Sequence, residues 1–178
     1  MRRASRRWLW RERKRPVIAC QDEDIEMSES LQKKRCAVVG VGNRAHSWLR
    51  GIVERHGERC ELVGLCDRQT ARCEDVNAAY KTDARVFDDC ERMLREAKPD
   101  LVVVTSPERF HREHIVAALD AGCDVATEKP LCTTLADAQA ILEAEQRNRR
   151  TIFMAFNYRH IPLRSEEHTS ELQSLLII

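Results

Sequence analysis

Between residues 34 and 157 one theme recurs: a short apolar run, a turn, then a segment whose apolar residues return every three or four positions. Cys36-Ala37-Val38-Val39, Leu62-Val63-Gly64-Leu65 and Leu101-Val102-Val103-Val104 are continuous apolar runs. A strand with one wet face alternates, so these runs predict strands buried on both faces. Ala45, Trp48, Leu49, Ile52 and Val53 follow the first run at helical spacing, and Gly57 is placed to end that helix. A less clearly patterned helix is predicted around residues 71–80, and a short strand at 85–87. Cys90, Met93, Leu94 and Ala97 mark the next helix face, which Pro99 stops. Residues 111–121 are predicted helical and close on Gly122. Val125-Ala126 leads into Glu128-Lys129-Pro130. Thr133 or Thr134 then caps a helix carrying Leu135, Ala138, Ile141 and Leu142, and residues 151–156 form the last strand.

Strands and helices alternating at this length predict an α/β protein with a Rossmann-type, doubly wound parallel sheet covered on both faces. The predicted domain is residues 34–157. The segment before it is basic as far as Arg15 and then strongly acidic over residues 21–29, so residues 1–33 are expected to be a disordered leader, with Met27 the expected start of translation.

Composition changes the picture mainly by exclusion. Thirty basic and 29 acidic residues leave a formal charge of +1, which offers no general attraction to nucleic acid or to an anionic membrane. The basic arm at residues 1–15 lacks aromatic residues stacked on a folded platform, so no nucleic-acid partner is expected. No segment approaches the ~18 apolar residues of a membrane span. Arg6-Arg7 resembles the start of a twin-arginine export signal, but Arg11-Glu12-Arg13 follows where an apolar stretch is required. Eight cysteines contain no C-x-x-C pair and no cluster with histidine, so no metal site is expected. They read as reduced thiols in a cytoplasmic protein. His111 and His114 share a helix face without an acidic or thiol partner, and that pair reads as structural.

The candidate chemistry begins at Gly40-Val41-Gly42-Asn43-Arg44-Ala45, between the first strand and the first helix. The first glycine permits a tight turn, and the second removes a side chain so that backbone N–H groups can approach a pyrophosphate. The small third position, Ala45, lets helix pack on strand. The helix N-terminus adds partial positive charge. Asp67 ends the second strand about 20 residues further on, where a carboxylate accepts hydrogen bonds from a ribose diol. That carboxylate repels a 2′-phosphate whereas the adjacent Arg68 could pair with one, so NAD is favoured and NADP left open.

With Glu128-Lys129-Pro130 added, residues 34–163 resemble the glucose–fructose oxidoreductase, inositol dehydrogenase and rhizopine-catabolism family, Gfo/Idh/MocA. The resemblance rests on the glycine turn, Cys66-Asp67-Arg68, Thr105-Ser106-Pro107 followed by His111, Ala121-Gly122-Cys123-Asp124-Val125 before Glu128-Lys129-Pro130, and Asn157-Tyr158-Arg159. It implies an NAD(P)-dependent oxidoreductase acting on a CH–OH group of a sugar, cyclitol or similar polyol. It also implies that Glu128 contacts the nicotinamide ribose, that Thr105, Ser106 and Pro107 line the same end of the cofactor, and that Asn157 belongs to the cofactor site. His111 either joins them or caps its helix.

Lys129 directly follows a strand, at the end where reaction crevices lie in parallel sheets, and Pro130 biases it away from helical backbone. Partly buried beside the nicotinamide, it would assist proton transfer while hydride moves. A non-catalytic NAD(P)-binding sensor is the alternative function. Family members continue into a second, α+β substrate domain that often carries the oligomer interface, and the resemblance places that domain outside this chain. Residues 158–163 would begin the linker to it. Residues 164–174 read like the translation of a short-read sequencing adapter, so residues 164–178 are expected to be a non-native tail and the chain alone to be inactive.

Overall fold

The structure is a computed structural model, and it describes residues 32–155. The expected leader, linker and tail, and Asn157, lie outside the described residues.

Six parallel strands form one sheet: β1 (Lys34–Val39), β2 (Cys60–Cys66), β3 (Arg85–Phe87), β4 (Leu101–Val104), β5 (Asp124–Thr127) and β6 (Ile152–Met154), in the spatial order β3-β2-β1-β4-β5-β6. The helices between them are α1 (Ala45–Leu49), α2 (Thr70–Tyr80), α3 (Cys90–Ala97), α4 (His111–Asp120) and α5 (Leu135–Asn148). The chain winds outward from β1 in one direction and, from β4, in the other. The order therefore reverses between β1 and β4, where Val39 lies beside Cys66 on one side and Val104 on the other.

The continuous apolar runs have the predicted cause. Successive β1 side chains enter opposite cores. Ala37 and Val39 join Val102, Val104 and Val125 against Met93, Ile115, Leu119 and Ile141 of α3, α4 and α5. Cys36 and Val38 join Val103 and Ala126 against Ala45 and Leu49 of α1, Ile52 just after it and Val76 of α2. Both faces are dry, so neither parity of the strand can be polar. The weak patterning expected of α2 is matched by its burial, since only Cys73 and Val76 of its eleven residues are buried.

Helix ends follow local chemistry. Thr134, rather than Thr133, caps α5 by accepting from the backbone N–H of Asp137. Asp89 caps α3 through the N–H of Arg92. Gly122 closes α4 at φ +83°. One segment departs from the expected α-helix: after Leu49 the coil widens into a π-helical stretch, Arg50–Arg55, closed by the His56 N–H donating to the Gly51 carbonyl. Apolar spacing over two turns does not separate the two helix types.

Candidate functional site

The loops that leave β1 and β4 meet at the point where strand order reverses, the position at which open α/β sheets form a crevice. Gly40 holds φ +86°, and its N–H donates to the Cys66 carbonyl at 2.8 Å. A Cβ there would stand 2.4 Å from both N and Cα of Ser106. The Thr105 hydroxyl closes the same junction by donating to the Gly40 carbonyl at 2.6 Å. Gly40 is thus required by a backbone crossing as well as by a turn. Gly42 is different, because a Cβ built on it meets nothing within 4 Å. The space over it is open to a ligand. Ala45 is fully buried where α1 meets the sheet, and Asn43 and Arg44 are exposed on the rim.

Asp67 is engaged on both oxygens. Oδ2 accepts from the Val41 N–H at 2.8 Å and Oδ1 from the Gln69 N–H at 2.9 Å, while Arg72 Nη1 lies 3.8 Å from Oδ2. The carboxylate therefore holds the glycine turn in place, and each oxygen keeps a lone pair for a further donor. A cavity of about 500 Å³ opens beside it, lined among others by Gly40, Asp67, Arg68, Arg72, Ser106 and Pro107. Cys66 and Cys90 also border it. Burial pushes each of these thiols up to about 12, which keeps them protonated and poor nucleophiles.

The β5 end carries the second set of predicted residues. Glu128 is buried, and its Oε1 accepts from the Trp48 indole N–H at 3.0 Å, with Arg44 Nε 3.9 Å from Oε2. The resemblance implied a sugar contact for Glu128. In the structure Oε1 is committed to Trp48 of α1. Lys129 follows it and is exposed rather than partly buried, and the Lys129–Pro130 peptide is cis. Lys129 lies two residues beyond the carboxyl end of β5.

His111 corrects the expectation most clearly. Its ring is 1% exposed, with Nδ1 2.8 Å from the Pro130 carbonyl and Nε2 2.8 Å from the Ser106 carbonyl. It makes no capping hydrogen bond at the start of α4. The Ser106 hydroxyl pairs with Nδ1 of His114 at 2.9 Å, both residues line the cavity, and burial lowers the pKa of His114 below its ordinary value. Sequence reasoning missed Trp48 and Arg72. An indole N–H on an apolar helix face needs an acceptor when buried, which was a usable signal for Trp48. No spacing announced Arg72.

The family model described as "Oxidoreductase family, NAD-binding Rossmann fold" for GFO_IDH_MocA matches residues 34–156, well over half of the sequence. The chain belongs to the Gfo/Idh/MocA oxidoreductase family. Among curated relatives of this Gfo/Idh/MocA chain, D-glucoside 3-dehydrogenase of Escherichia coli (strain K12) is 34% identical over 125 residues, covering 70% of the chain and 35% of the relative. Inositol 2-dehydrogenase of Salmonella typhimurium is 30% identical over 127 residues, 71% of the chain and 38% of the relative. The crystal structure of the WlbA dehydrogenase from Bordetella pertussis in complex with NADH and UDP-GlcNAcA superposes with a TM-score of 0.71 at 27% identity, covering 80% of this chain and 42% of that one. The chain thus spans little more than a third of the length of these curated relatives.

The cofactor of the Gfo/Idh/MocA domain is NAD, and the residues present fit it. Gly42 leaves a cradle that a Cβ would enter, and Asp67 borders a cavity of suitable size. Among the described residues, no helix is long and apolar enough to cross a membrane.

Proposed function

We propose that this chain supplies the cofactor-binding half of a dehydrogenase that oxidises or reduces a CH–OH group of a sugar, cyclitol or similar polyol, with Lys129 as the proton-transferring residue. What supports this is that Lys129 is exposed just beyond the carboxyl end of β5, directly after a buried Glu128 that Trp48 anchors to the helix of the glycine turn. The residue that must meet substrate is free while its neighbour is fixed. The names of the relatives, dehydrogenases of a glucoside and of inositol, support the substrate class.

NAD, when bound, takes the hydride from the alcohol carbon. Lys129 Nζ would take the hydroxyl proton as the carbonyl forms and return it in the reverse direction. Asp67 and Arg68 hold the adenosine ribose, with NAD preferred to NADP because the carboxylate repels a 2′-phosphate. Gly40, Gly42, Asn43, Arg44 and Ala45 shape the pyrophosphate turn, and Thr105, Ser106 and Pro107 border the centre of the cofactor. A hydride transfer needs substrate held in near-attack geometry, so a second domain has to provide the facing wall.

The test is steady-state kinetics, read by NADH absorbance over a panel of sugars and cyclitols, on a protein carrying this domain together with a substrate domain. Lys129→Ala should lower turnover by ~100-fold or more with NAD affinity largely intact, as for a lost general acid/base. Near-normal turnover in that variant would remove Lys129 from the mechanism.

A further inference from the structure

Among the described residues, the His111 ring is the side chain that lies within hydrogen-bond distance of both the loop after β4 and the loop after β5. Its Nε2 faces the Ser106 carbonyl, inside the segment Thr105-Ser106-Pro107 after β4, and its Nδ1 faces the Pro130 carbonyl, directly after Lys129 on the loop that follows β5. Both contacts are 2.8 Å, and the ring is buried. A carbonyl oxygen accepts and cannot donate. Whichever ring nitrogen carries the proton donates to the carbonyl it faces, so the ring ties α4 to that loop while lying against the other.

Among the described residues neither carbonyl accepts from a backbone N–H, and both loops are irregular. Buried polar groups of that kind are expensive to leave unmatched, so the ring is strongly held and holds the loops in turn. His114, one turn along α4, adds a parallel tie from its Nδ1 to the Ser106 hydroxyl, but it makes no bond to the Lys129 loop. The link across to Pro130 belongs to His111.

We propose that His111 is a positioning residue, fastening the loop after β4 to the Glu128-Lys129-Pro130 loop and thereby setting the nicotinamide side of the crevice, Lys129 included. This rests on the NAD site assigned above. It makes His111 part of the cofactor site without contact to the cofactor.

The test uses the 178-residue chain and two ligands. ADP occupies the Asp67 and glycine-turn side alone, whereas NAD extends past it to Lys129. By calorimetry, His111→Phe should weaken NAD by ~10-fold, the scale of one lost hydrogen-bonding tie, and leave ADP within about twofold. His111→Gln keeps one donor and should fall between. Equal losses for NAD and ADP, or no loss for either, overturn the proposal.

Nitrogen-15 NMR of the unmodified chain decides the matter even where a variant fails to fold. A slowly exchanging ring N–H signal assigned to His111 supports the tie, and its absence overturns it. A wild-type chain that binds neither ligand would count against the NAD site itself, and the NMR result would still decide the tie.

Discussion

Gly40 and Gly42 lie two residues apart in one turn, yet the structure gives them opposite duties, and alanine at each should separate them. Gly40→Ala places a methyl 2.4 Å from Ser106 N and Cα and 2.8 Å from the Thr105 carbonyl carbon, all backbone, at φ +86°. Left-handed backbone costs an L-residue about 1–2 kcal/mol. Forcing a methyl into packed structure adds about 1–3 kcal/mol. The sum, about 2–5 kcal/mol, corresponds to a fall in melting temperature of roughly 8–20 °C at about 4 °C per kcal/mol for a domain of this size. Gly42→Ala meets nothing within 4 Å and stays outside the left-handed region, so its melting temperature should move by no more than about 2 °C. Its methyl does fill the open cradle, and NAD affinity should drop by ~10-fold or more, about 1.4 kcal/mol. Differential scanning calorimetry without ligand, followed by titration with NAD, reads both quantities on the same samples. Comparable melting losses for the two variants would refute the division between a folding glycine and a binding glycine. So would a Gly42→Ala protein that binds NAD like the wild type.

Asp67→Ala removes the acceptor of the Val41 and Gln69 N–H groups together with the ribose contact, so NAD affinity should fall ~10–100-fold and NADP affinity less; equal losses by calorimetry would show that Asp67 does not discriminate the ribose. Trp48→Phe leaves Glu128 Oε1 buried without its donor and should cost about 1–3 kcal/mol in chemical denaturation. An unchanged midpoint would mean that the anchor is dispensable. Burial lowers the His114 pKa from 6.5, so the folded state favours the neutral ring; the stability this contributes is complete above pH 6.5 and is lost as pH falls below it. Urea midpoints of His114→Asn should accordingly decline less steeply than wild type on acidification through that window, and parallel slopes would contradict the assignment.

What the sequence determined by itself is whatever depends on neighbours along the chain. Unbroken runs such as 101–104 report that both faces of a strand are dry, which in turn requires helices on both sides and parallel strands. Thr134 before its helix, Gly122 after one, and the glycine turn ahead of Ala45 are local chemistry, legible at one or two residues' distance. The tertiary structure alone decided which loops touch. Trp48 meets Glu128 across 80 positions, Gly40 is crossed by the backbone of Ser106, Asp67 reaches back to the Val41 N–H, and His111 spans to the Pro130 carbonyl. Periodicity records that a side chain is buried and says nothing of its partner. Where the partner is a backbone carbonyl the sequence holds no mark of it at all, because every residue has one; only the winding of the sheet, reversing between β1 and β4, brings those particular oxygens to those particular nitrogens.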